Sequence, residues 1–342
     1  MSFLEAIRQS VDSGAVNAVR HSSMPLTLYN YSARCQYEQL WDGVADQCRG
    51  FVIDDDGNVV ARPFRKFFND TEHPPEQIPW HLPCEITEKM DGSLGILFYA
   101  CGRWNWATRG SFTSSQSVEA AAIFAERYDD VTLHEEVTYL FEIIYPENRI
   151  VVDYGDRRDV VLLGMIHSSS AVELPLCEAP SGLTVVRSLP RTASLDELRS
   201  IIRDDEEGYV VRFENGFRVK VKGARYIELH RIMSGVSSRS IWETLAAGKS
   251  FDELLAVVPD ECAEWVRSER SGFIADFEAL ECAATNGFAA AKKLPTRKEQ
   301  AAAILRDFPQ ASSACFAMLD GKDYRPILWR QLYPEFRRPA VV

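Results

Sequence analysis

Between about residues 225 and 235 the periodicity of this chain changes, and no single regular architecture can span the change. Upstream lies Glu207-Gly-Tyr-Val-Val-Arg-Phe213, an Asn215-Gly216 pair, and then Phe217-Arg-Val-Lys-Val-Lys222. Alternation of period two on both sides of Asn-Gly specifies a β-hairpin. It places Arg218, Lys220 and Lys222 on one face and Phe217, Val219 and Val221 on the other. Downstream, Tyr226, Leu229, Met233 and Val236 recur at helical spacing. Ser250-Phe-Asp-Glu253 and Thr296-Arg-Lys-Glu299 are capping boxes, and Pro326 suits the first turn of a last helix. Asp260 to Thr285 is a long apolar-periodic stretch with a stop expected at Asn286-Gly287. The fold class is therefore α+β: a β-rich domain over residues 1–228, then an all-α domain over residues 229–342.

The upstream part reads in more detail. Ser2-Phe-Leu-Glu5 is a capping box opening a short amphipathic helix that stops at Gly14. Leu26 to Tyr31 is extended. Cys48 to Ile53 and Val59 to Pro63 form a hairpin around Asp55-Asp-Gly-Asn58, running on into Phe64 to Asn69. A proline-rich loop from His73 to Pro83 leads to a strand starting at Glu85, and a second hairpin turns at Cys101-Gly102 between Leu94–Ala100 and Trp104–Thr108. Val118 to Tyr128 is helical, Thr138–Ile144 and Val160–Ile166 are strands, and Ser194-Leu-Asp-Glu197 caps a helix to about Arg203.

With 342 residues there is length for two domains with sizeable cores, and 46% hydrophobic with 26% charged residues is the balance of a soluble globular protein. No run approaches the ~18 apolar residues of a membrane span, and no basic-then-apolar leader opens the chain, so neither a membrane partner nor a signal peptide is expected. The eight cysteines are scattered without a Cys-x-x-Cys pair and the six histidines are dispersed, which fits reduced thiols in the cytoplasm and argues against a zinc site. A net charge of −12, from 38 basic and 50 acidic residues, weighs against a protein that coats RNA or DNA. It is compatible with an enzyme that holds one strand end in a local basic groove. The pattern sets no oligomeric state.

The stretch Glu88-Lys-Met-Asp-Gly-Ser-Leu-Gly-Ile-Leu97 lies between two strand-like runs. Lys89 would project from a strand end, Gly92 would open the turn, and Gly95 would ease a second close approach. A lysine becomes a nucleophile when it is desolvated or crowded by other cations. Asp91 beside it could order a sugar hydroxyl or a metal. Glu142, flanked by apolar strand residues, would be costly as an unpaired carboxylate and reads as a site residue even alone. Lys220 and Lys222, taken alone, read as the solvated face of a hairpin, and Trp104 and Trp106 as a packed sheet face.

Seven stretches, taken in order, change that reading. They are Cys48-Arg49-Gly50, Lys66-Phe-Phe-Asn69, Lys89-Met-Asp91-Gly92-Ser93, Arg109-Gly-Ser111, Phe141-Glu142-Ile143, Glu207-Gly-Tyr-Val210 and Val219-Lys220-Val-Lys222. Together they resemble the T4 RNA ligase 1 family of ATP-dependent RNA ligases, of the covalent lysine nucleotidyltransferase superfamily, and Phe141 to Val151 resembles it especially closely. The resemblance spans about Asn30 to Arg231. It implies an N-terminal nucleotidyltransferase domain with ATP-grasp-like antiparallel sheets and helices. It also implies that Lys89 attacks the α-phosphate of ATP to form lysyl–AMP, that AMP passes to an RNA 5′-phosphate, and that a 3′-hydroxyl then seals the strand.

By the same resemblance Lys220 and Lys222 hold the α-phosphate as catalytic residues. Arg49 and Lys66 face the β- and γ-phosphates, Glu88 lies next to the adenine, and Asp91, Gly92 and Arg109 belong to the ATP site. Glu142 meets the ribose or, with Glu207, is a candidate ligand of Mg²⁺, for which Mn²⁺ can substitute. Arg109 stands where this family is expected to carry a lysine, keeping the charge and changing the geometry. The partner implied is RNA with 5′-phosphate and 3′-hydroxyl ends, a nicked tRNA among the candidates, in RNA repair. A capping guanylyltransferase or a DNA ligase shares the lysine chemistry but is expected to continue into a β-rich OB domain, where this chain turns helical. A non-catalytic RNA-end binder would be expected to lack Lys89 or the paired lysines. The helical tail is expected to orient RNA, with Arg225, Arg231, Lys292, Lys293 and Arg297 as phosphate contacts, and a chain ending near Gly248 to keep the lysine chemistry.

Overall fold

Alternation upstream of residue 230 becomes three sheets in the computed structural model, which describes residues 3–337 save 193, 234, 256–257 and 259–261. The first sheet has the order β1-β2-β3-β4, from β1 (Val16–Arg20), β2 (Leu26–Tyr31), β3 (Arg49–Asp54) and β4 (Val59–Ala61). The second is built from β7 (Ser93–Ala100), β8 (Arg103–Thr108), β9 (Val137–Ile144), β10 (Asp159–His167) and β11 (Glu173–Leu174), in the order β11-β10-β9-β7-β8. The third comprises β5 (Phe68–Asn69), β6 (Cys84–Lys89), β12 (Ser188–Leu189), β13 (Gly208–Phe213) and β14 (Arg218–Lys222), in the order β12-β6-β13-β14-β5. Its β5 runs parallel to β14, whereas the other named pairs are antiparallel.

The middle sheet is covered on both faces, which is why its strands read as continuous apolar runs. Ile96, Phe98 and Leu140 pack with Leu28 and Val52 of the first sheet. Their neighbours Leu97, Tyr139 and Phe141 pack on the other face with Ala120 and Ile123 of α3 (Ser115–Arg127). On the outer face of the first sheet, Ile7 of α1 (Phe3–Asp12) lies with Phe51 and Ile53. In the third sheet Ile86, Val211, Val219 and Val221 pack with Leu198 of α4 (Leu195–Ser200). Two further helices, α2 (Ala33–Glu38) and α5 (Ala224–Met233), complete this part.

The chain divides into two compact units, Met1–His230 and Arg231–Val342. The regular elements described after α5 are helices: α6 (Ser238–Ala246), α7 (Phe251–Leu255), α8 (Ala263–Ala291), α9 (Arg297–Asp307), α10 (Ser312–Leu319) and α11 (Arg325–Gln331). The Thr296 box forms as expected, with its hydroxyl accepting the Glu299 amide, and Pro326 lies in the first turn of α11.

Three boundaries differ from expectation. The helix opened by Ser194 ends at Ser200 rather than about Arg203. The helix through Tyr226 ends at Met233, so Val236 lies beyond it, after Gly235 in a left-handed conformation at φ +67°. The long helix α8 runs straight through Asn286-Gly287. A Cβ at Gly287 would lie 2.6 Å from Cys315 Sγ and 3.0 Å from the Phe308 ring, so this glycine serves close helix packing and ends nothing. Ser2, Asp260 and the side chains of residues 231–233 and 252–253 lie outside the described residues, and with them the Ser2 and Ser250 capping boxes.

Candidate active site

Three adjacent strands bring the central lysines together. Gly208 on β13 pairs with Lys89 on β6 on one side and with Lys222 on β14 on the other. Glu207, the residue before β13, therefore sits between two lysines. Lys89 Nζ donates to Glu207 Oε2 at 2.7 Å, and Lys222 Nζ lies 3.4 Å from Glu207 Oε1. The side chain of Lys89 is 22% exposed, against 8% for Lys222 and 3% for Glu207, so Lys89 is the member of this trio that an incoming molecule reaches. Gly208 is required here. Its φ is +143°, and a Cβ would stand 2.0 Å from the Val221 carbonyl oxygen.

Lys220, two residues back on β14, is buried rather than solvated. The cause is β5, which adds along β14 with Asn69 opposite Lys220. Beside it Phe67 receives both Lys220 (Nζ 6.0 Å from the ring centroid) and Arg49 (5.9 Å). The next aromatic group holds Lys66, whose Nζ is 5.3 Å from the centre of Phe68, 5.6 Å from Trp41 and 5.8 Å from Tyr31. Arg109 donates to the Tyr31 hydroxyl at 3.0 Å and lies over the same ring. Tyr31 and Trp41 were not singled out in the sequence; nothing in their spacing marks them, since the strands β3 and β4 separate both from Lys66.

Glu142 on β9 accepts the Gly92 amide at 3.0 Å through Oε1, so Gly92 serves through its backbone. Although partly exposed, Glu142 is crowded by protein, and that desolvation pushes its carboxyl up to about 7. Glu207 acts in the same direction, and Lys89, Arg49 and the Gly92 amide oppose it. Lys89, Glu207, Arg49 and Glu142 thus share one electrostatic neighbourhood. Glu88 pairs with Arg187 (3.1 Å), which also reaches Glu206 (2.9 Å).

Asp91, which the sequence offered to a sugar, a metal or ATP, is buried and its carboxylate is engaged within the protein. Oδ2 accepts the amides of Val151 and Val152, each at 2.8 Å, and Oδ1 accepts the Tyr226 hydroxyl at 2.7 Å. The Asp91 amide in turn donates to Tyr154 Oη. Asn148 joins the same lashing, accepting from Ser93 Oγ and donating to the Ile143 carbonyl. Asp91 therefore fixes the loop after the lysine. Asn148 and Tyr154 had no assigned role; the close resemblance over Phe141 to Val151 was the signal that could have pointed to Asn148.

Among the described residues no three His, Cys, Asp or Glu side chains are grouped to hold a metal. Glu142 and Glu207 lie in this neighbourhood with Lys89, Lys222 and Arg49 acting on them. Such a set fits a divalent ion only when phosphate oxygens and water complete its shell.

Residues 47–226, just over half of the chain, match the protein family described as RNA ligase. The chain is 22% identical over 315 residues to an RNA ligase of Rhodothermus phage RM378, covering 69% of this chain and 70% of that protein. It is 29% identical over 194 residues to RNA ligase 1 of bacteriophage TS2126, covering 49% and 47%. A solved archaeal ATP-dependent RNA ligase aligns with a TM-score of 0.47 at 15% identity, over 82% of this chain and 79% of that one.

Proposed function

Since the chain belongs to the T4 RNA ligase 1-like family of RNA ligases, we propose that it joins RNA 5′-phosphate and 3′-hydroxyl ends in an ATP-dependent reaction passing through lysyl–AMP and RNA-adenylate. One observation carries this reading: a buried carboxylate, Glu207, shared by two lysines of which only Lys89 is open to approach. Once Lys89 leaves Glu207 and gives up a proton, its Nζ can attack the α-phosphorus of ATP. The N–P bond forms as the bond to pyrophosphate breaks. Lys222 and Lys220 stay in place, desolvated and fixed, and meet the charge that develops on the phosphate. One such fixed contact is worth about 3 kcal/mol, or on the order of a hundredfold in rate. Arg49 and Lys66, held over aromatic rings outside the covalent step, suit the β- and γ-phosphates.

A carboxyl with a pKa of about 7 can donate as well as accept a hydrogen bond near neutrality, which suits Glu142 to a ribose hydroxyl. Glu207 and Glu142 are the side chains that would hold Mg²⁺, or Mn²⁺ in its place, an ion that neutralises phosphate charge when bound. AMP then moves from Lys89 to the RNA 5′-phosphate, and the 3′-hydroxyl displaces it. The helical part after His230 is read as an all-α domain that orients the RNA. Repair of broken RNA, nicked tRNA included, is the setting proposed. No described helix is long and apolar enough to cross a membrane.

Incubation with α-labelled ATP or GTP, followed by denaturing electrophoresis and a chase with 5′-phosphorylated RNA, tests this reading. Label should enter the protein from ATP and leave as AMP when RNA is sealed. Label from GTP alone would make the protein a capping-type guanylyltransferase, and label from neither would make it a binder.

A further inference from the structure

Beside Lys66, on the side of the chain that runs from Arg62 to His73, lies a groove of about 630 Å³, of whose charged lining residues only Lys66 has a role above. Its size is that of a small-molecule site, roughly 300–1,000 Å³. Arg62, Arg65, Lys66 and Arg218 line it, against the single carboxylate of Glu173. That is a local excess of positive charge on a chain whose net charge is −12. The rest of its wall is largely aromatic. His73 meets Phe217 edge-on with ring centres 5.1 Å apart, and Phe68 at 6.0 Å. His73 Nε2 is buried and has no hydrogen-bond partner among the described residues, although an unmade bond of this kind costs about 1–3 kcal/mol.

The cations do not all serve the fold. Arg62 is committed, donating through Nε to the Ser168 carbonyl, and Arg218 is buried against Glu173 at 2.5 Å. Arg65 differs: its side chain is 61% exposed, with one guanidinium nitrogen on Asp46. Cations at the rim and aromatic edges within are the composition that binds single-stranded nucleic acid, where a base free of its stack can enter and the backbone can follow the charge. A paired base cannot reach such a wall. The groove is also continuous with the candidate site, because Lys66 belongs to both and Phe68 and Asn69, two and three residues further on, form the strand that pairs with Val219 and Lys220.

We propose that this groove binds an unpaired terminal nucleotide of the RNA to be joined, with its base against His73 and Phe217 and its phosphate toward Arg65. The proposal rests on the RNA ligase reading and names a subsite for its RNA. The probe is a short 5′-phosphorylated single-stranded oligoribonucleotide with 4-thiouridine as its 5′-terminal residue, added to protein already carrying AMP, so that the ATP site is filled. Photo-cross-links should map to residues 62–73 or 215–218. In fluorescence anisotropy, Arg65→Ala and His73→Ala should each weaken binding about tenfold, the loss expected for one stacking or phosphate contact. Arg65→Ala should also lower the log–log salt slope by about 0.7, and Arg65→Lys should restore it. Both alanine variants should form the AMP adduct with ATP at the parent rate, which shows that they are folded. Parent affinity and parent salt slope in both, with cross-links elsewhere, would overturn the groove and leave the ligase reading standing. An acidic peptide that displaces the RNA from the parent but not from Arg65→Ala would reassign the groove to a protein partner and overturn the RNA subsite. A parent chain that takes no AMP from ATP sinks the ligase reading instead. The binding arm, run in that case on the AMP-free chain, needs no chemistry and still decides the groove.

Discussion

In the proposed reaction Lys89 could not attack while its ammonium is held by Glu207, so an incoming nucleotide would have to compete for that pair. The contact also keeps the buried Glu207 carboxylate compensated. Nearby, Glu142 carries a pH signature whose sign is fixed. Its pKa of about 7 in the fold, against an ordinary 4.5, means that the folded protein keeps a proton the unfolded chain releases. Stability contributed at this position is therefore present below about pH 4.5 and lost as pH rises toward 7. Glu142→Gln should lose less thermal stability than the parent between pH 5 and pH 8, and parallel Tm–pH curves would contradict the assignment. Asp91→Ala tests the opposite kind of residue. Without the carboxylate, two backbone N–H groups and the Tyr226 hydroxyl lose their acceptor, so urea unfolding should show a loss of about 1–3 kcal/mol. An unchanged unfolding midpoint would show that the lashing is not structural. The sequence marked Glu142 by its apolar neighbours, and Lys89 and the lysine pair by the order of the seven stretches. It could not show the acceptor duties of Asp91, which involve residues about 60 and 135 positions away.

Strand β14 shows where a pattern of residues stops being informative. The Asn-Gly turn and the alternation specify the hairpin, and Val219 and Val221 do face a core. The opposite face reads as solvated, yet Lys220 is buried by a parallel strand of two residues that no periodicity announces. In the proposed reaction, burial would make these lysines effective toward a phosphate, because water screens them less. Lys220→Ala and Lys222→Ala should each slow formation of the AMP adduct by on the order of a hundredfold in single-turnover kinetics. Parent rates in both would show that the strand face plays no part in the chemistry. Gly287 makes the same point in a helix. Next to asparagine it resembles a stop, but its missing side chain admits Cys315 and Phe308. That partner lies elsewhere in the sequence, beyond the reach of local pattern.

At the scale of the whole molecule the chain divides at His230 and Arg231, within the residues 225–235 where its periodicity changes. The cut expected to keep the lysine chemistry, near Gly248, divides a packed cluster. It would keep α6 while removing Val266 and Phe273 of α8, against which Val236 and Ile241 pack. A chain ending near Gly248 should therefore aggregate through its exposed apolar face. One ending at His230 should remain monodisperse by size-exclusion chromatography and still take AMP from ATP. The reverse behaviour would place the division elsewhere. The proposed reaction needs a lysine presented to the α-phosphate of ATP, and the most direct measurement is to locate the adduct itself. The full-length protein, incubated with ATP and divalent metal, is digested and its AMP-bearing peptide sequenced by mass spectrometry. AMP should sit on Lys89, and both Lys89→Ala and Lys89→Arg should carry none, since a guanidinium stays protonated and cannot attack. AMP on any other residue, or an adduct that survives in Lys89→Ala, would contradict the site.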